Sequence, residues 1–247
     1  LVRNPEYGYG KNANPCLDCK QMMYGLAMEE ARRQDAQFIA TGEVLGQRPM
    51  SQRLEAFGRM ERGADVEGLV VRPLCAKLLP PTIPEKRGLY DRNDMLDIQG
   101  RGRKRQMELA EEWGITDYPS PAGGCKLTDP AFAERVFILQ KLGHLDVQPL
   151  RAIRYGRLFA LGERSFVLVG RHKEDNEGLL EAVPNDARLL ELADKPGPLA
   201  AVIGPADPEE MEQARELVIE YSRYELPPSA VAEYTPEERR GMEWKRK

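Results

Sequence analysis

Apolar residues in the first half of the chain recur with alternating helical and strand spacing. Residues 17–34 place apolar side chains on one helical face, and residues 38–41 form a short apolar run that leads into Gly42 and Glu43. The same reasoning predicts further helices at residues 51–62, 103–113 and 130–142, and a strand at residues 68–74. Helices that alternate with short buried strands favour an α/β fold with a parallel sheet.

The second half of the chain has a different pattern. Two apolar runs separated by a tight turn, residues 158–162 and 165–170, predict a β-hairpin. The pattern then predicts a helix at 176–183, strands at 187–192 and 199–203, and a helix at 208–224 with Asp207 as its N-cap. We therefore expect two domains, an α/β domain at residues 1–143 and a small α+β domain at residues 149–247.

Composition adds limits to this picture. The chain has 247 residues, 41% of them hydrophobic, with a formal net charge of −4 and no apolar stretch near the length of a membrane span. We expect a cytoplasmic protein that does not contact a membrane. The chain opens at Leu1 in what reads as a loop, without an initiator methionine, and we expect it to be a fragment of a longer protein.

Three of the four cysteines occur in contexts that suit sulfur or metal chemistry. Cys16 and Cys19 form a C-x-x-C pair where the first helix begins, a position that favours the thiolate form. Cys125 follows Gly123 and Gly124, which permit a tight turn and a close approach to a ligand. The fourth, Cys75, has none of these features, and we interpret it as a small buried hydrophobic residue.

The residues alone leave three interpretations of these thiols open. They could form a redox or iron–sulfur site, a structural zinc site completed by His or Asp, or a set of inert thiols. A structural disulfide is disfavoured, because nothing in the sequence points to export.

Three segments, taken in order, resemble a known family. Asn14-Pro15-Cys16-Leu17-Asp18-Cys19-Lys20, Phe38-Ile39-Ala40-Thr41-Gly42-Glu43 and Cys125 after a double glycine are similar to the C-terminal part of the PP-loop tRNA thiolation domain, close to the tRNA 2-thiouridylase group. The resemblance covers roughly residues 4–130. It implies the remainder of a parallel-sheet adenylating, HUP-like domain. The Ser-Gly-Gly-x-Asp-Ser loop with which that family binds ATP is absent from this sequence.

The resemblance implies a chemistry and a set of partners. Cys19 would be the proximal catalytic cysteine and Cys125 the distal, sulfur-carrying one. Cys16, as a third thiol, resembles the members in which three cysteines hold a [4Fe-4S] cluster with one iron open for sulfide. ATP and Mg would serve adenylation through the missing loop, tRNA would be the substrate, and sulfur would come from a donor protein or from sulfide.

Thr41, Gly42 and Glu43 lie where a parallel strand ends. Open α/β sheets bind ligands at this position, and we assign the three residues to the adenylate pocket. The alternative is that Gly42 only permits a tight turn.

The densest basic cluster consists of Arg101, Arg103, Lys104 and Arg105. It falls at the start of a predicted helix, where positive side chains oppose the helix dipole, so we expect an anion to compensate them. That anion would be an ATP phosphate or the tRNA backbone. The alternative is a solvated charged face.

A second basic group, Arg171, His172 and Lys173, lies between a predicted strand and a helix. Backbone N–H groups and cations could converge there on an RNA phosphate, although a structural His172 fits equally well. The segment 169–177, with the later Pro196-Gly197-Pro198, is similar to the RNA-binding domain called NFACT-R.

Together these observations predict a tRNA sulfurtransferase-like enzyme that transfers sulfur to an adenylated nucleobase through a cysteine persulfide or a [4Fe-4S] cluster. Two other functions remain open. One is a non-catalytic RNA-binding module with a structural metal, and the other is a PP-loop enzyme that acts on a small metabolite.

Overall fold

The computed structural model describes residues 1–118 and 124–240. The chain divides into two compact units, Leu1–Cys125 and Lys126–Lys247. This division lies upstream of the junction predicted between residues 143 and 149, and the helix predicted at 130–142 therefore groups with the second unit. In the described ranges, no helix has both the length and the apolar content to cross a membrane.

The first unit contains a parallel pair of strands and four α-helices among its described residues. The helices are α1 (Cys16–Arg33), α2 (Leu54–Gly63), α3 (Ile83–Lys86) and α4 (Lys104–Glu112), and the strands are β1 (Ile39–Ala40) and β2 (Val70–Val71). Strand β1 pairs with β2 in parallel, with Ile39 opposite Val70. The predicted parallel pairing is confirmed, although both strands are shorter than predicted.

The core of the first unit lies between α1, α2 and the two strands. Tyr24 and Met28 from α1 pack with Phe57 and Met60 from α2 and with Val70. Helix α2 begins at Leu54, three residues after the predicted start. The helix begins there because its N-cap residue, Arg53, has an extended backbone with φ of −115° and ψ of 155°.

The second unit is built around a five-stranded antiparallel sheet with the order β3-β4-β6-β5-β7. Its strands are β3 (Arg157–Ala160), β4 (Phe166–Val169), β5 (Arg188–Leu192), β6 (Ala200–Ile203) and β7 (Val231–Tyr234). Its helices are α5 (Pro130–Lys141), α6 (Val147–Ala152), α7 (Lys173–Ala182), α8 (Pro208–Glu220) and α9 (Pro236–Arg240). The first four strands were predicted from the apolar pattern, whereas β7, α6 and α9 were not.

The central strands β4 and β6 are buried along their whole length. Val167 and Val169 from β4 and Val202 from β6 pack on one face of the sheet against Met211 and Val218 of α8. Strand residues of alternate register, such as Phe166 and Leu168, point to the opposite face and are fully buried there. A sheet covered on both faces explains why its strands read as continuous apolar runs.

Candidate functional site

The C-x-x-C pair lies at the amino end of α1, as predicted. The helix begins at Cys16 with Pro15 as its N-cap residue, so Cys16 and Cys19 both lie in the first turn. Both thiols are partly buried. The amide Nδ2 of the buried Asn14 donates a hydrogen bond of 3.1 Å to Cys16 Sγ. The local sequence thus fixes the orientation of one thiol of the pair.

Cys19 interacts electrostatically with both other predicted site cysteines. Burial raises the pKa of the Cys19 thiol, and the charges of Cys125 and Cys16 raise this pKa further, while Lys20 lowers it. The expectation of a thiolate favoured by the helix start is wrong for Cys19, because burial and neighbouring sulfurs outweigh the one nearby cation. Cys125 is exposed, and residues 120–123 of its glycine-rich motif lie outside the described residues.

The cysteines do not form a ready metal centre in the described residues. Residues 1–118 and 124–240 contain no group of three His, Cys, Asp or Glu side chains arranged to hold a metal ion. Cys75 is fully buried and donates to the carbonyl of Glu43 at 3.4 Å, in agreement with its interpretation as a core residue.

Glu43, at the carboxyl end of β1, is the centre of a buried ionic network. Its side chain is only 3% exposed. Oxygen Oε2 accepts hydrogen bonds from Arg72 Nε at 3.2 Å, from Thr41 Oγ1 at 3.2 Å and from the Tyr24 hydroxyl. Oxygen Oε1 has no hydrogen-bond partner in the described part of the chain and lies 3.4 Å from Lys20 Nζ. The residue predicted to bind an adenylate is thus held by protein groups through one oxygen.

Arg72 joins this network to α2. Its Nη1 donates to Glu61 Oε1 at 2.6 Å and its Nη2 to the Tyr24 hydroxyl at 2.9 Å. The guanidinium lies 3.8 Å from the centroid of the Phe57 ring. No local sequence motif points to Arg72, Tyr24 or Glu61. A signal was available, because Arg72 directly follows β2 and Glu43 closely follows β1, so the parallel pairing brings the two together.

A cavity of about 580 Å³ lies beside this network. Arg72 and Glu61 line it together with Phe57, Ile83 and Lys86. Within the described ranges, neither the cysteines nor residues 41–43 belong to its lining. The predicted adenylate residues are therefore not the wall of this cavity.

The basic cluster of the first unit is partly neutralised by its own helix. Arg105 Nη1 lies 2.7 Å from Glu112 Oε1 and 3.5 Å from Glu108 Oε2, and Lys104 Nζ lies 4.0 Å from Glu108. Arg101 and Arg103, which precede α4, form no ion pair with the described residues. The two residues ahead of the helix are thus the better candidates for contact with an external anion.

The basic group of the second unit has structural partners that the sequence did not reveal. Arg171 binds Asp175 through Nε at 2.6 Å and Nη2 at 3.1 Å. His172 is the N-cap of α7, where its Nδ1 accepts the N–H of Asp175 at 3.3 Å. Lys173 is the most exposed of the three and lies 4.0 Å from Glu177. Lys173 is therefore the side chain of this group most available to a phosphate.

Asp175 is the buried anchor of this loop. Burial raises its pKa, but hydrogen bonds from the Arg171 side chain and from the N–H groups of Arg171 and Gly156 lower the pKa to about 2. Gly156 has a φ of +65°, and an added Cβ would lie 2.6 Å from the carbonyl oxygen of Val169. Glycine is required there because the chain approaches the end of β4 so closely.

Comparison with known proteins finds a similarity for the second unit of the chain. Residues 156–243 match the family model described as the NFACT protein RNA binding domain. No curated protein and no solved structure matches the chain. The match confirms the resemblance stated for residues 169–177, and it covers β3 to β7. The second unit of this chain is thus similar to an RNA-binding domain.

Proposed function

We propose that this protein binds RNA through its second unit. The match of residues 156–243 to an RNA-binding domain carries the proposal. The exposed Lys173, which is the first residue of α7, supports it, because accessible cations and the N–H groups of a helix start both bind phosphates.

The test is equilibrium binding of the full 247-residue chain to tRNA and to a single-stranded RNA at several salt concentrations. We expect log K to fall linearly with log salt, and Lys173→Ala to lower the slope by about 1. Arg164→Ala, in the turn between β3 and β4, is the matched control. Absence of binding to both RNAs at low salt would refute the proposal.

As a second function, we propose that the cysteines of the first unit transfer sulfur to a nucleobase of tRNA. The observation that favours this function is that, besides burial, both Cys125 and Cys16 raise the pKa of the Cys19 thiol. In this proposal Cys19 and Cys125 are the catalytic thiols, and Cys16 is the third thiol of the set. Visible absorbance with iron and sulfide analysis of anaerobically purified protein tests whether all three hold a cluster.

The reaction requires an activated base. The oxygen of the base attacks the α-phosphorus of ATP and releases pyrophosphate, so that this oxygen carries an adenylyl group. Sulfide then attacks the base carbon bonded to this oxygen, the C–O bond breaks and AMP leaves. The sequence contains no Ser-Gly-Gly-x-Asp-Ser loop. We therefore expect this chain to release no pyrophosphate from ATP and tRNA by itself, and to transfer sulfide only to a base that has been adenylated beforehand. Pyrophosphate release that depends on tRNA would show that other residues of this chain perform the adenylation.

A further inference from the structure

At one end of the five-stranded sheet, each strand has a terminus beside the terminus of its neighbour. Strand β3 begins at Arg157, opposite Val169, where β4 ends. Val169 in turn lies opposite Ala200, where β6 begins. Strand β5 is antiparallel to β6 and ends at Leu192, opposite Val231, where β7 begins. We call this end the β4 carboxyl end.

Two cation–aromatic pairs lie at the β4 carboxyl end. The guanidinium carbon of Arg157 lies 4.5 Å from the centroid of the Tyr221 ring, which directly follows α8. Phe159 from the same strand lies against Tyr221 with ring centroids 5.5 Å apart. Lys195, in the loop between β5 and β6, has its Nζ 4.5 Å from the centroid of the Tyr224 ring. All three aromatic residues are only partly buried.

A hydrogen-bonded clamp joins the Lys195 loop to the loop that carries the predicted RNA-binding residues. Asn176, in the first turn of α7, donates to the carbonyl of Gly197 at 3.2 Å and accepts the N–H of Leu199 at 3.1 Å. Lys173 and Lys195 therefore belong to one supported surface.

Positive charge alone does not mark this surface as an RNA-binding site. The exposed acidic residue Glu174 follows Lys173 in α7, and the exposed Asp194 precedes Lys195 in the loop between β5 and β6. What distinguishes the end is Arg157, which forms no ion pair with any described residue and rests on an aromatic ring. A guanidinium plane supported by a ring is a stacking surface for an unpaired base, and such stacking needs no sequence-specific hydrogen bonds.

We infer that the β4 carboxyl end binds unpaired RNA, with a nucleobase stacked on the Arg157–Tyr221 pair and the adjoining phosphates held by Lys195 and Lys173. This inference rests on the proposed RNA-binding function and adds the surface and the kind of RNA. Duplex RNA hides its base faces, so it would gain only the phosphate contacts.

The test uses the full chain, a labelled single-stranded oligoribonucleotide and a duplex of the same length. Arg157→Lys keeps the charge but removes the planar stacking group, and we expect about fivefold weaker binding to the single strand. Tyr221→Leu keeps apolar packing but removes the ring, with an expected loss of about tenfold. Tyr221→Phe and Arg164→Ala, the latter at the opposite end of the sheet, are the controls and should bind as the wild type does.

Each outcome decides a separate point. Weaker single-strand binding by Arg157→Lys, with duplex binding unchanged, supports the inference, and this variant does not depend on the packing of Tyr221. Wild-type affinity of Arg157→Lys and Tyr221→Leu for the single strand would show that RNA does not bind at the β4 carboxyl end, while the proposed RNA binding would stand. Equal losses for single strand and duplex would overturn stacking on an unpaired base. No binding of either RNA by the wild type would overturn the proposed function as well.

Discussion

Arg171 Nε lies 2.6 Å from Oδ2 of Asp175, and the N–H of Arg171 donates to the same oxygen at 3.1 Å. Arg171 was predicted from sequence to bind RNA, but its side chain is paired with the carboxylate of Asp175 four residues later. The loop geometry depends on a buried charge, and this dependence has a measurable consequence.

We predict that Asp175→Asn destabilises the second unit at neutral pH. The folded-state pKa of Asp175 is lowered to about 2 from an ordinary value of 3.8, so its contribution is present above pH 3.8 and is lost as the pH falls towards 2. We expect the free energy of unfolding to drop by about 2 kcal/mol near neutral pH, and the difference to vanish near the folded pKa. Urea unfolding across this pH range measures it, with Glu177→Gln as the exposed control. A difference that persists at the lowest pH would contradict the ionic origin.

We predict that Arg72→Met strongly destabilises the first unit. The substitution leaves the carboxylates of Glu43 and Glu61 buried without their shared cation, which costs about 3–5 kcal/mol. Arg62→Met is the matched control, because Arg62 pairs with Glu67 at the surface and its loss should cost under about 1 kcal/mol. Equal midpoints of urea unfolding for the two variants would mean that the buried network contributes nothing.

We predict that Cys19 and Cys125 can be joined by mild oxidation. Besides burial, Cys125 raises the pKa of the Cys19 thiol, which requires the two side chains to be within electrostatic range of each other. A disulfide would further require their Cα atoms to be within about 7 Å. Diamide treatment of the Cys16→Ser variant should give a Cys19–Cys125 linked peptide in mass spectrometry, while the buried Cys75 stays reduced. Recovery of Cys125 only in mixed disulfides with added thiol would argue against a shared site.

We predict that replacing Arg101 and Arg103 together by Ala weakens tRNA binding equally for all sequences. Neither side chain forms an ion pair with the described residues, so both are available to phosphates, and loss of two contacts should reduce the salt slope by about 2. The control is the double replacement of Arg32 and Arg33, which removes the same charge at the end of α1. If the slope of log K against log salt is unchanged when Arg101 and Arg103 are replaced, the two side chains do not contact RNA and belong to a solvated charged face.

The elements that sequence predicted well are those determined by local pattern. Helix α1 follows from Pro15 and its apolar spacing, and α8 follows from Asp207, whose side chain caps the helix as predicted. Strand β7 was missed because Val231–Tyr234 is a short half-buried run whose strand conformation comes from pairing with β5, a partner distant in sequence.

The candidate sites show the same limit. The residues next to Cys16, Cys19 and Cys125 were enough to predict a thiol site. The pKa of Cys19, however, depends on burial and on a cysteine more than a hundred residues away. A structural role for His172 was weighed against a phosphate site, and the specific role, N-cap of α7, depends on where that helix begins. The partners of Glu43 depend on strand pairing, which no local pattern specifies.

The position of β6 between β4 and β5 has a consequence for biosynthesis. Strand β5 precedes β6 in the chain but has no contact with β4 in the sheet order, so the hairpin of β3 and β4 cannot be extended until Ala200–Ile203 has been made. Such non-local closure is slow relative to helix formation, and it leaves apolar strand edges open in the meantime. A nascent chain that stalls before residue 200 would therefore carry the β3–β4 hairpin and an unpaired β5, and the two can join one sheet only after β6 has left the ribosome.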